Sequence, residues 1–572
     1  MTERDIHFEV FVRPDPKGAW AMHDVSSVRE KALAMAADLL RADKTAGVKV
    51  VKESYDSETG DYLSLTIFED GHTKLKLEAA EEDAVPVLPC FKPADLYSQH
   101  ARATMARLLR DFLIRHKITV TELIHRADCL NKLEAAGTVF QHAVQKVAVA
   151  QASSGTPVQH LIKALNELAG KAMARVQRDA RRGLFPAVKA GGFGTLAVKL
   201  ATDGDGAYIF NGALALHLTP CASWSEKLLA LLAILPNAPA DGDGRVLFMN
   251  AIDALAAEIV SSSTALQEMI GESENLGQAL MVLVELFLGL LADDNRAALT
   301  ALSHQFAADE LPTARIAIAN RIIAELKSGR RLCPASRFEE LTLLRKIGNS
   351  LVLGDARYIS HDNLVAAFTL RSRRLVSAES IQEYLAGLST PDDRLERLFI
   401  VEENIVGTSN KKQLAFILQQ TLASPAFTEH FVNSTAPVIT RLRRLSDLQA
   451  RARRSNFRDE TREEIADCLD RVAAEVEARG KVFKSLQENL ADPAERVMAI
   501  LKLCTNNALT EGRVRGKARD MVLTTLAHPG FLKGYLAQSK AGEAPEHAMN
   551  ELAELLELAG IPPEDGMKKV AA

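Results

Sequence analysis

Residues 391–431 read PDDRLERLFIVEENIVGTSNKKQLAFILQQTLASPAFTEHF, and residues 493–535 read PAERVMAILKLCTNNALTEGRVRGKARDMVLTTLAHPGFLKGY. The two align as copies of one unit. Each opens on a proline, Pro391 or Pro493, with an arginine three residues later, Arg394 or Arg496. An apolar helical pattern follows, then a polar loop near Asn404 or Asn506, then a second apolar helix. The closing strings are nearly identical: Thr421, Leu422, Ala423, Pro425 and Phe427 against Thr525, Leu526, Ala527, Pro529 and Phe531. They align once the second copy carries two extra loop residues, which loops tolerate. Proline at the first helical position costs no hydrogen bond. Pro425 and Pro529 stop the second helix, after which Phe427 and Phe431, or Phe531 and Tyr535, sit four apart and form one face of a short third helix.

Weaker copies are expected from Pro334, where Arg337 follows by three, and from Pro220, ending near Leu266 and Ile270. With helical blocks between them, residues 220–562 read as one helical-repeat domain. In architecture this resembles HEAT-like or armadillo-like helical solenoids, and no family consensus is matched. The resemblance implies an extended stack and a habit of binding proteins.

The composition agrees with a mainly α chain. Of 572 residues, 47% are hydrophobic and 25% charged, as in globular domains, while only 5% are aromatic. Helix-forming aliphatics, not β-branched and aromatic pairs, would therefore fill the cores. The net charge of −5 gives no global attraction to nucleic acid, so nucleic-acid partners are not expected. Six dispersed cysteines without a C-x-x-C pair suit free thiols in a reducing cytoplasm. No secretory signal is read at the N-terminus. Residues 276–292, LGQALMVLVELFLGLLA, contain Gln278 and Glu285 and are too short for a span of about 20 residues, so they are expected as a buried core helix rather than a membrane insertion.

The N-terminal residues 1–70 read differently. IHFEVFVR over 6–13 alternates and is rich in β formers, and a second strand is expected over 19–25, a helix over 28–42, and strands over 48–55 and 62–68 joined by Ser57-Glu-Thr-Gly. The expectation is a small α+β domain, strand-strand-helix-strand-strand, suited to sensing or to self-association through a sheet edge. Residues 71–92 form an acidic, proline-marked linker, residues 93–183 a helical bundle of four helices, and residues 563–572 a flexible tail.

Residues 184–219 contain GGFGTLAVKLATDGDGAYIFNGALALHL, two apolar runs around Thr202-Asp-Gly-Asp-Gly, and are expected as a glycine-rich β-hairpin over 191–218 interrupting the helices. Gly191 to Gly194 lack the spacing and the Lys-Ser/Thr of a phosphate loop. Asp203 and Asp205 lack the further ligands of a calcium loop. His100, His116, His125 and His142 fit no metal-ligand spacing, and Thr119 to Leu133 only faintly suggest a helix-turn-helix. No catalytic, cofactor or metal residue is nominated. The dense basic run Arg441, Arg443, Arg444, Arg451, Arg453 and Arg454 is the candidate partner-binding surface; its rival reading is a self-neutralising hairpin with the acidic helix after Asp459. The functional expectation is a cytoplasmic interaction or regulatory scaffold binding a protein partner. The rival is an enzyme or nucleotide-responsive regulator with its site near the glycine-rich segment; a DNA-binding regulator ranks below both.

Overall fold

The computed structural model describes residues 6–13, 20–41, 47–56, 61–71, 87–152, 157–538 and 545–571. It is mostly helical, with one four-stranded antiparallel sheet at the N-terminus. The chain forms two compact units, Met1–Ala367 and Phe368–Ala572.

The sheet contains β1 (Ile6–Arg13), β2 (Ala21–Ser26), β3 (Gly47–Asp56) and β4 (Asp61–Gly71) in the order β2-β1-β3-β4. Helix α1 (Arg29–Arg41) joins β2 to β3 and packs on β1 and β3. The expected strand-strand-helix-strand-strand order is therefore observed, while the Ser57-Glu-Thr-Gly turn and the acidic stretch 72–86 lie outside the described residues. Period-two alternation sends Phe8, Val10, Val48 and Val50 to one face, where Ala32 and Ala36 of α1 let the helix approach closely. Bulges after Val10 and Val50 shift the register of the β1–β2 and β3–β4 pairs.

The rest of the first unit is helical. A 3₁₀ turn, Pro93–Tyr97, leads into α2 (Gln99–Leu108), α3 (Arg110–His116), α4 (Val120–His125), α5 (Ala127–Ala135), α6 (Thr138–Gln151) and α7 (Val158–Arg181). Six helices thus occupy the span where four were expected, because Leu109 and Arg126 break the run at positions with no glycine or proline to mark them. There follow α8 (Phe193–Leu200), α9 (Gly206–His217), α10 (Trp224–Leu232), α11 (Gly242–Ser261), α12 (Ser263–Ile270), α13 (Leu276–Phe287), α14 (Ala297–Ala307), α15 (Pro312–Lys327) and α16 (Arg337–Val352), while the division between the units falls within α17 (His361–Leu375). Helix α13 is the buried apolar helix, nine of its twelve residues being shielded. Among the described residues no single helix is long and apolar enough to cross a membrane.

The expected β-hairpin over 191–218 is not formed: the two apolar runs are helices α8 and α9. Both are covered on several sides, so they read as continuous apolar stretches in which strand and buried helix look alike. Their glycines serve close packing. A Cβ at Gly194 would collide with the Asn237 carbonyl oxygen, one at Gly206 with that of Leu200, and one at Gly212 with the Phe185 ring.

The second unit contains α18 (Ala378–Leu385), α19 (Pro391–Asn404), α20 (Thr408–Ala423), α21 (Pro425–Val432), α22 (Val438–Arg454), α23 (Asp459–Gly480), α24 (Val482–Asn489), α25 (Pro493–Thr505), α26 (Arg513–Leu526), α27 (Phe531–Gln538), α28 (Pro545–Leu558) and α29 (Pro563–Ala571). Helices α19–α21 and α25–α27 are built alike. Leu395, Leu398 and Phe399 are buried in the first, as are Val497, Ile500 and Leu501 in the second. Gly407 and Gly512, both at positive φ, precede α20 and α26. The shared arginine has the same task in each: Arg394 Nε donates to the Leu388 carbonyl at 3.0 Å, and Arg496 donates to that of Leu490 at 2.7 Å. In both, the arginine three residues after the proline ties down the chain three residues before it. The closing aromatics pair as expected, Phe427 with Phe431 at 5.2 Å and Phe531 with Tyr535 at 5.7 Å between ring centres.

Residues 563–571, expected as a flexible tail, instead form α29, which packs on α26 and α28. Pro563 starts it, Glu564 and Asp565 occupy its first turn, and Lys568 and Lys569 occupy its last, the charge order that a helix dipole favours.

Candidate functional site

The most developed polar construction in the first unit surrounds the short helix α4. Thr119 and Glu122 form a capping box: Thr119 Oγ1 accepts the Glu122 N–H at 3.1 Å, and the Glu122 carboxylate accepts the Thr119 N–H at 2.9 Å. That carboxylate, fully buried, also receives Lys227 Nζ from α10 and Arg126. A second carboxylate, Glu258 of α11, accepts from the Thr121 N–H and hydroxyl and pairs with Arg102 at 2.7 Å. Two acids from different elements therefore hold one helix start, where the helix dipole favours negative charge.

At the other end of α4, His125 is buried and its Nδ1 donates to the Thr121 carbonyl at 2.8 Å. That bond places the ring proton on Nδ1 and leaves Nε2 an acceptor, buried without a partner. Burial, chiefly, and the charges of Arg102 and Arg175 lower its pKa from 6.5 to about 3, so the ring is neutral. Around it stand Tyr97 and Tyr208, each with ring centres 5.3 and 5.2 Å away respectively, and Phe185 at 6.2 Å. Arg175 lies over the Tyr208 ring at 4.1 Å and pairs with Asp205 at 2.7 Å. The Tyr208 hydroxyl donates to Asp179, and burial raises its pKa further.

Tyr97 belongs both to this aromatic group and to a partly open cavity of about 160 Å³ lined by α2 and α4 to α7. Leu96, Met105, Phe140, Leu165, Leu168 and Met173 are among its walls, and among the described residues no charged side chain lines it. At one rim, the Gln151 amide donates to the carbonyls of Val87 and Leu88. Cys90 is the thiol among the described lining residues; burial, then the charge of Asp95, raises its pKa, which disfavours a thiolate there. Such a cavity has the chemistry to hold an uncharged apolar molecule and to exclude an ion.

The residues singled out from sequence are scattered. Asp203 and Asp205 lie in the α8–α9 connection, where Asp203 accepts the Asp205 N–H and Asp205 meets Arg175. His100 contacts Ser98 Oγ at 3.1 Å and stands 3.7 Å from Cys90 Sγ, His116 rests on Phe112, and His142 is exposed. Among the described residues no group of three or more His, Cys, Asp or Glu is placed to hold a metal ion. In the second unit the basic run divides. Arg444 reaches Asp392, Asp393 and Glu396, and Arg451 reaches Glu396 and Glu403, so α22 is bound to the acidic face of α19. Arg441 donates to the carbonyls of Phe431 and Val432, and Arg453 stands 3.8 Å from Glu463 of α23. Arg443 and Arg454 are exposed.

Tyr97, Glu122, Arg175, Phe185, Tyr208, Lys227 and Glu258 were not nominated from sequence. Only Glu122 carried a local signal, the Thr-x-x-Glu spacing of a capping box; the others are joined by contacts between distant segments. Comparison with known protein families, curated proteins and solved structures returns no match.

Proposed function

We propose that the chain is an interaction scaffold whose second unit is a stack of helical hairpins presenting a surface to a protein partner. The observation that supports this is the way joints in that unit run from each hairpin to the next in sequence. Arg444 and Arg451 tie α22 back to α19, and on its other side Ser446 and Gln449 bind the backbone of Leu509 and Glu511 ahead of α26. Asp470 of α23 likewise receives the Thr510 hydroxyl and the Arg513 N–H. Neighbour-to-neighbour bonding is the construction of a solenoid, in which each hairpin leaves a free outer face. Arg443 and Arg454 are the exposed cations of the basic run that suit an acidic partner, while the edge strand β2, with Met22 and Val25 exposed, suits self-association.

The test is affinity purification of the full chain from its native cells beside an Arg443→Glu/Arg454→Glu variant. A stoichiometric protein retained by the native chain and lost from the variant supports the scaffold. No such protein, with an unaltered melting profile, overturns it.

A second reading is favoured by the cavity beside Tyr97: the first unit binds a small uncharged apolar molecule and so makes the protein ligand-responsive. Packed interiors leave few voids of this size, and apolar ones accept hydrocarbon guests. Saturable binding of the uncharged dye 1-N-phenylnaphthylamine, abolished by Ala169→Leu, supports it. Equal dye binding by the variant removes it.

A further inference from the structure

The apolar cavity of the first unit is long and narrow. Its α6 wall is the stripe Phe140, Ala143, Val144, Val147 and Gln151, which at about 1.5 Å of rise per residue runs about 16 Å. The α7 wall, from Leu165 to Val176, keeps the same three- and four-residue spacing and carries Ala169 and Ala172 where bulkier side chains would close the space. We infer that the cavity binds one extended alkyl or acyl chain with an uncharged polar head, a fatty alcohol or a neutral fatty-acyl ester, seated tail first. The inference rests on the apolar-ligand reading of the first unit, whose ligand class it names.

Shape is the first support. A void of about 160 Å³ drawn out along a wall of about 16 Å is slender. A compact guest, such as the benzene that occupies an engineered cavity of about 150 Å³, would touch only part of these walls. A chain keeps its contacts with both helical stripes along its whole length, and such contacts add up. Direction is the second support. One end is closed by Leu130, Leu133 and Val176, all buried, while the other reaches the surface at Val87, Leu88 and Gln151, with Leu88 half exposed. The site therefore has a blind apolar end and a wet end, as an amphiphile does. Phe91, next to Cys90 at that opening, is exposed as well, so an arriving tail meets apolar surface before it enters.

The polarity of the open end selects the head. The Gln151 amide nitrogen donates to the carbonyls of Val87 and Leu88 at 3.4 and 3.2 Å, and the Cys90 thiol donates to the Asp95 carbonyl at 3.8 Å. The polar groups gathered there are thus an amide, carbonyls and a thiol, all uncharged. A hydroxyl or an ester can exchange hydrogen bonds with them. A carboxylate head would stand beside apolar walls with no cation among the described lining residues to pair with it.

The test uses the full chain and the displacement of bound 1-N-phenylnaphthylamine by 1-hexanol, 1-octanol, 1-decanol and 1-dodecanol, with decanoate beside 1-decanol. The expected result is an affinity that climbs about fourfold for each added methylene through 1-decanol, and decanoate binding about tenfold more weakly than 1-decanol. Ala172→Leu, near the closed end, should abolish the gain beyond 1-octanol and leave 1-hexanol nearly unaffected. Gln151→Lys, at the open end, should reverse the preference between decanoate and 1-decanol, which a merely structural role of Gln151 would not do. The native chain-length series decides the matter even where Ala172→Leu fails to melt cooperatively. Affinity that stops rising at 1-hexanol, dye that no alcohol displaces, or decanoate held as tightly as 1-decanol overturns the inference and leaves a compact apolar guest standing. Absence of dye binding by the native chain removes both readings.

Discussion

Lys227 Nζ lies 2.7 and 2.5 Å from the two carboxylate oxygens of Glu122, a residue 105 positions away, and neither side chain is more than 3% exposed. The pair fastens α10 to the start of α4, and its removal from one side only is expected to be severe. Lys227→Met leaves the buried carboxylate with Arg126 alone, at a cost of about 3–5 kcal/mol. Adding Glu122→Gln should recover part of that loss, because the unpaired charge is then gone. Urea unfolding of the native, single and double variants measures both; a Lys227→Met chain as stable as the native one would refute the coupling.

His125 gives a pH prediction. Its pKa is about 3 in the folded chain against an ordinary 6.5, so the unfolded chain binds the proton first as the pH falls. The neutral ring's contribution is complete above the unfolded value and is lost progressively from 6.5 down to about 3, at about 1.4 kcal/mol per pH unit. Above pH 6.5 this residue should impose no pH dependence. Unfolding free energies compared at about pH 7 and pH 4.5 should diverge less in His125→Gln than in the native chain. Identical slopes would mean that His125 titrates normally.

The glycines of the 191–218 segment distinguish helix packing from a hairpin. Gly194→Ala and Gly206→Ala each place a methyl group against a carbonyl oxygen and should cost about 1–3 kcal/mol. Gly170→Ala, in α7 with open space around it, should instead stabilise by about 0.5–1 kcal/mol. Thermal melts of the three variants check the ordering.

The arginines at Pro+3 predict a matched pair of losses. Arg394→Met and Arg496→Met each delete a charged donor to a carbonyl before the helix, worth about 1.5–3 kcal/mol when shielded and less where solvent competes. Arg394 makes its bond at a more exposed place than Arg496, so Arg496→Met should be the more harmful. Equilibrium denaturation of both variants decides it.

Much of the architecture was legible because it is written in short-range patterns. Alternation over Ile6–Arg13 carries the first strand, and the matched prolines, arginines and aromatics of 391–431 and 493–535 mark two like-built helix triplets, since caps and breakers act within a few residues. The 191–218 segment misled because a helix covered on several sides loses the periodicity by which helices are recognised, and its glycines signal a turn as readily as a close approach. The tail misled because nine residues carry too few apolar positions to declare a helix without the partners α26 and α28.

The basic run makes the remaining division clear. From sequence alone its charges could face outward or meet the acids that follow Asp459; in the fold, Arg444 and Arg451 meet Asp392, Asp393, Glu396 and Glu403 instead, on a helix about fifty residues earlier. By itself the sequence determined that this is a mainly helical chain with a small β-containing N-terminal part, because helix propensity and periodicity are local. Only the tertiary structure decided which charges neutralise which, where Tyr97, His125 and Tyr208 gather, and which side chains line the apolar cavity. Those relationships depend on distances between segments far apart in the chain, and a single sequence does not record them.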